Sequence, residues 1–243
     1  MHKERLNLKK YAIDEVKRKR DDFVLLGKPA SISDLDKVIS SIEEDVDVDL
    51  IESYDSNIWD IIAENDLRAV CSYLLDFGVR FYRYSAEMSP VMIAIQAGNI
   101  EIVRMFLTHG WDPNEWTDVD NDTPLKMAAY KGFKDIFFLL IENGATLHLV
   151  GYDHEMTCDP HGERFEIGPE ELLVDAIIGR NVEICNYLLK HIDINIWPTF
   201  IPRCLQNKET REFCLNSGIE ALSSKFVSAL DACEVRKNER KCS

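Results

Sequence analysis

Long hydrophobic runs are missing from this chain. No stretch of its 243 residues approaches the roughly 20 apolar positions a membrane helix requires. The first residues also lack the apolar centre of a secretory signal, since Lys3 to Arg20 is charged throughout. Paired cysteine spacings are absent. Seven cysteines, an odd number with no Cys-x-x-Cys, argue against a disulfide framework and for a reduced, cytoplasmic setting. Basic side chains are scarce: 28 Lys and Arg face 43 Asp and Glu, a net charge of −15. Such a deficit disfavours sequence-independent nucleic-acid binding, which needs cations against phosphates. It favours a basic protein partner.

The charge is unevenly placed. Residues 1–30 hold nine basic and five acidic side chains, whereas residues 31–76 hold two and thirteen. The basic segment from Tyr11 to Arg20 has helical composition and ends in Lys17-Arg18-Lys19-Arg20. Such a run suits a nuclear-localisation or nucleic-acid patch. A solvated terminal helix, or one folded over the first repeat, is the favoured reading.

What the chain does have is internal repetition. Ser89-Pro90-Val91-Met92-Ile93-Ala94-Ile95-Gln96-Ala97-Gly98 returns 34 residues later as Thr123-Pro124-Leu125-Lys126-Met127-Ala128-Ala129-Tyr130-Lys131-Gly132. Each run leads into a second apolar segment ending in glycine, Ile100 to Gly110 and Lys134 to Gly144. A period of this size signals stacked supersecondary units. Proline suits the first helical position, where its missing N–H has no partner to lose. Gly132 and Gly144 stand where the chain must turn through positive φ.

The pattern resembles the ankyrin repeat, whose signature is a turn, a Thr-Pro-Leu-His opening and two antiparallel helices. The resemblance is strongest over residues 85–150 and extends in weaker copies over about 30–218. Lys126 occupies the family's histidine position. The resemblance implies an all-α helical-hairpin solenoid of about five repeats, with a non-enzymatic, protein-binding role and no cofactor. Three regions are expected: a basic N-terminal helical segment at 1–30, the array at 31–218, and a capping helix and tail at 219–243. The last region sets Ile219, Leu222, Phe226 and Leu230 at helical spacing.

Ala128 and Ala176 occupy equivalent positions 48 residues apart. Against a usual period of about 33, about 15 residues are inserted. The insertion lies at 151–169 and is expected to project as a loop on the binding face. His154, Cys158 and His161 gather metal-ligand types there, but their spacing fits no standard finger. The loop is therefore read as a recognition element carrying Tyr152 and His154.

In ankyrin-like proteins the turn tips and the outward side of the first helix face partners. Carried onto this chain, those positions imply acidic contacts at Glu52, Asp55, Glu64, Asp120, Asp122 and Glu170. Lys131 and the aromatic residues Tyr82, Tyr84, Trp111, Trp116 and Tyr130 adjoin them. Acid around aromatic anchors suits an Arg- or Lys-bearing partner. The leading expectation is an acidic inhibitor or immunity-type antitoxin that binds a basic protein such as a nuclease toxin. The alternatives are a bacterial or viral effector engaging a host protein, a structural scaffold, and a metal-binding enzyme or regulator using residues 151–165.

Overall fold

The computed structural model describes residues 2–26, 35–36, 38–40, 42–43, 58–76, 89–115, 122–153, 163–192 and 208–219. They belong to two compact units, Met1–Asp112 and Pro113–Ser243. Both are built from short antiparallel helix pairs, as the resemblance implied. The first holds α1 (His2–Leu26), α2 (Ile58–Asn65), α3 (Arg68–Asp76), α4 (Pro90–Ala97) and α5 (Ile100–Thr108). The second holds α6 (Pro124–Lys131), α7 (Lys134–Glu142), strands β1 (Leu149–Asp153) and β2 (Glu163–Ile167), α8 (Pro169–Ile178), α9 (Val182–Leu188) and α10 (Lys208–Asn216).

One turn recurs in every pair. After the first helix the chain passes through a left-handed residue: Asp66 (φ 55°), Gly98 (76°), Gly132 (71°) or Arg180 (55°). The next N–H then reaches back over the helix end: Leu67 to Ile62 O, Asn99 to Ala94 O, Phe133 to Ala128 O, Asn181 to Ala176 O, all 2.9–3.2 Å. This closure satisfies carbonyls that the helix would otherwise leave open. Ile62, Ala94, Ala128 and Ala176 are all fully buried. The start is equally regular at two first helices. Ser89 and Thr123 have extended backbones, and their hydroxyls accept from the N–H of Met92 and Lys126.

The second helices supply the bulky core. Phe106 and Phe137 are completely buried, and Trp59 meets Phe106 edge to face with ring centres 5.7 Å apart. Cys71, Cys185 and Cys214 are buried thiols outside any disulfide, behaving as small apolar groups. Burial pushes the Cys71 thiol up to about 12.

The basic N-terminal segment folds onto the first unit. Helix α1 packs against α3, burying Ala12 and Val16, while the helical residues Leu35, Val38 and Ile42 are also buried. Basic residues of α1 meet the acidic stretch that follows: Arg20 lies 2.6 Å from Asp36, Lys17 lies 3.8 Å from Glu43, and Lys9 donates to the Glu43 carbonyl. Two pairs of the opposed charges noted in the sequence thus meet within the chain. Helix α1 also repairs a defect. Leu67 precedes α3 where a capping oxygen belongs, and its side chain has none. One carboxylate oxygen of Glu15 accepts instead from the N–H of Ala69 at 2.9 Å and Val70 at 3.1 Å.

The insertion is not all loop. Its flanks pair as an antiparallel ladder from Leu149↔Ile167 to Asp153↔Glu163, so a small β element interrupts an otherwise helical chain. Even so, α6 and α8 pack directly against each other across it. Their C-terminal ends touch through backbone. A Cβ on Gly179 would strike the carbonyl oxygens of Ala129 and Tyr130 and the Gly132 nitrogen, and one on Gly132 would strike the Gly179 carbonyl. Gly179 has ordinary helical φ of −68°, so glycine is required there for space alone.

Two outcomes follow. Gly179→Ala should lower the urea unfolding midpoint more than Gly110→Ala. The latter costs only a left-handed alanine, about 1–2 kcal/mol, because its Cβ would meet nothing within 4 Å. For Glu15, burial raises the carboxyl pKa above 4.5, and the Ala69 and Val70 hydrogen bonds oppose that only in part. Raised folded-state affinity for the proton means stability falls as pH climbs through the folded pKa. Glu15→Gln keeps the acceptor and removes the buried charge. It should match or exceed the wild type at pH 7 and lose that advantage near pH 4.5, while Glu15→Ala should cost about 1 kcal/mol in denaturation experiments.

Candidate functional site

The surface singled out by the sequence is built on the first helices. In the second unit α6 and α8 lie side by side, so the residues of both contribute to one surface. Helix α6 carries Lys126 at its first turn and Tyr130 and Lys131 at its last. Tyr130 is 50% exposed, far more than a tyrosine held for packing alone requires. Helix α8 brings Glu170 and Glu171 in its first turn and Asp175 one turn later.

Lys126 is the electrostatic centre. Its Nζ lies 2.8 Å from Asp122, four residues earlier, and the charges of Asp175 and Glu171 on α8 also act on it. Burial opposes the charged form. The Asp122 hydrogen bond and the three carboxylates outweigh it, so Lys126 is held above the usual 10.5. A cation at the family's histidine position therefore pairs with Asp122 and lies in the field of two acids of the next repeat. Sequence reasoning treated Lys126 as a departure and overlooked Glu171 and Asp175. The i,i+4 spacing of Asp122 and Lys126 was the available signal.

Of the other expected contact residues, Glu64 is exposed at the end of α2 and Lys131 is exposed at the end of α6. Trp111 is half-buried, its N–H donating to the Phe106 carbonyl. Asp122 is half-buried and engaged by Lys126, and Glu170 is half-buried. Tyr152 sits on β1 opposite Arg164. Glu52, Asp55, Tyr82, Tyr84, Trp116, Asp120 and His154 lie outside the described residues, as do the metal candidates Cys158 and His161. The structure therefore places Tyr130 and Lys131 on α6, Glu170 on α8 and Asp122 just ahead of α6.

Polar side chains tie successive repeats together within each unit. The Asn181 amide donates to the Gly132 carbonyl, and the Asn99 amide donates to the Ala63 carbonyl. Asn114 grips the following repeat from both ends of its amide, donating to the Gly144 carbonyl and accepting from the Thr146 N–H.

Residues 59–150 match the family described as ankyrin repeats, in three copies. Ankyrin repeats indicate a protein–protein interaction module, and the family is generally a non-enzymatic binding scaffold. A curated relative, Dauer abnormal formation protein 25 of Caenorhabditis elegans, is 31% identical over 99 residues. That match covers 41% of this chain and 26% of the relative, so it spans about a quarter of that protein's length. Beyond the matched ankyrin stretch, α8 and α9 repeat the same left-handed turn at Arg180. Among the described residues, no helix is long and apolar enough to cross a membrane.

Replacing Lys126 with methionine removes the ion pair with Asp122 and the cation that offsets the charges of Glu171 and Asp175. The expected cost is on the order of 1–3 kcal/mol at pH 7. Because the folded pKa is raised, this stabilisation is present below 10.5 and lost as pH rises through the folded value. The gap between wild type and Lys126→Met in urea midpoint should stay level from neutral pH and close only above that value.

Proposed function

We propose that this chain is a non-enzymatic binding protein whose acidic surface captures a basic protein. In its most specific form it is an inhibitor or immunity-type antitoxin of a nuclease-like toxin. The observation that carries the proposal is the composition of the α6–α8 surface: exposed Tyr130 on the same helix as Lys126, which pairs with Asp122 and feels the charges of Asp175 and Glu171. That group of charges retains excess negative charge after its internal pairing. An exposed tyrosine next to such charge offers a rigid anchor and an electrostatic lure for arginine or lysine. The net charge of −15 supports fast, salt-sensitive association with a cationic surface. A protein that binds phosphates through such a surface would be blocked by carboxylates occupying it.

The pairing of Asp122 with Lys126 refines which acids would serve. Glu64, Asp120 and Glu170 are assigned to the partner, while Asp122 and Lys126 set the local field. Residues 31–218 form the binding body, and residues 1–30 and 219–243 cap its ends.

The test is capture on immobilised full-length protein from the native source. Wild type should retain a basic protein that elutes with moderate salt. The triple variant Glu64→Lys, Asp120→Lys, Glu170→Lys should lose it, and Tyr130→Ala should weaken retention without changing its salt slope. An identical retained set with the triple variant would overturn the reading.

A further inference from the structure

Helix α1 docks on the first unit through a small apolar footprint and a set of polar ties. Of its described side chains, Ala12 and Val16 alone are buried. Arg20 pairs with Asp36, Lys17 pairs with Glu43, and the Lys9 ammonium donates to the Glu43 carbonyl. Every side chain of the two ion pairs is more than a third exposed, and such pairs contribute little each. The Glu15 carboxylate adds its cap on α3. Burial holds that carboxyl above 4.5 although Ala69 and Val70 donate to it, so the cap offsets its own dehydration only in part.

A basic helix is thus seated on acids of its own chain. Asp36 and Glu43 belong to the stretch 31–76, which holds thirteen acidic and two basic side chains. Both are helical residues and stand two turns apart. Lys17 and Arg20, one turn apart on α1, reach them. Beneath α1 lies α3, which carries Cys71. That thiol is buried, and the Glu15 charge acts on it.

We propose that α1 is a releasable internal competitor: it occupies Asp36, Glu43 and the first turn of α3, and a basic helical segment of the partner takes those places when α1 lifts. The present occupant defines the one that follows. It needs two cations a turn apart for the carboxylates, an acceptor for the Ala69 and Val70 N–H groups, and small apolar residues where Ala12 and Val16 lie. A tethered ligand has a high effective concentration, so displacement demands a partner that makes further contacts elsewhere. This gate rests on the acid-directed binding proposed above, and adds to it a step that rejects basic chains offering charge alone.

The probe is a fluorescent synthetic peptide of residues 2–26, titrated into the full-length protein. Alkylation of Cys71, followed by mass spectrometry, reports the position of α1. Lys17→Ser with Arg20→Ser removes these cations from α1 but not from the peptide. That variant should bind the peptide about two- to thirty-fold more tightly than wild type, the span that two exposed ion pairs cover. Its Cys71 should also alkylate faster. Asp36→Ser with Glu43→Ser should speed Cys71 too, yet bind the peptide no more tightly than wild type, because the acids are gone. Lys10→Ser with Lys190→Ser changes the net charge equally at exposed lysines and should behave as wild type. Cys185 and Cys214 of the second unit should stay slow throughout. Faster alkylation of all three cysteines is general unfolding and overturns the latch. Cys71 as slow as in wild type in both pair-breaking variants overturns it as well. Opening at Cys71 with equal peptide affinity in wild type and the Lys17, Arg20 variant overturns the competitor role, and capture through the α6–α8 surface is then judged by its own experiment.

Discussion

Each described helix pair depends on one closure, in which a residue with left-handed backbone lets the following N–H reach back to a buried position one turn inside the first helix. The closure sets where the second helix starts and how closely it can lie on the first. It also fixes which small residue is sealed beneath it. Where alanine occupies that place, at positions 94, 128 and 176, neighbouring first helices can approach closely. At α6 and α8 the approach runs to backbone contact between Gly132 and Gly179. The electrostatics around Lys126 follow from that closeness, because the charges of Glu171 and Asp175 act on it from the next repeat.

The repeat was legible in the sequence for a physical reason. Turn glycines, a proline at the first helical position and paired small residues are all demanded by backbone geometry, so their spacing survives when other residues drift. Gly98 and Gly132 announced their left-handed turns directly. Asp66 and Arg180 did not, because a side chain conceals the same φ. Both belong to ion pairs, Asp66 with Arg68 and Arg180 with Glu209, although exposed pairs of this kind add little to stability. Gly179 was illegible for the opposite reason. Its φ is ordinary, and its need for glycine comes from a neighbour 47 positions away.

The site was only partly legible. Exposed Tyr130 and Lys131 follow from the resemblance, which implies an outward side for the first helix. The cluster around Lys126 does not, because Glu171 and Asp175 reach it across an insertion that hides the repeat spacing. Nor does the capping of α3 by Glu15, where the acceptor comes from a helix 54 residues earlier in the chain. Long-range electrostatics leaves no period in a sequence. The hairpin was missed because five-residue strands with mixed polarity look like ordinary loop.

The insertion has a further consequence. An antiparallel ladder returns the chain to the point where it left, so Leu149 and Ile167 face each other and the repeats on either side meet as though nothing intervened. The stack is therefore blind to what lies beyond Asp153 and Glu163. Sequence there can lengthen, shorten or change character while α6 and α8 keep their contact. Such a position is a natural port for acquiring new recognition, since variation at the tip is decoupled from the stability of the scaffold that carries it.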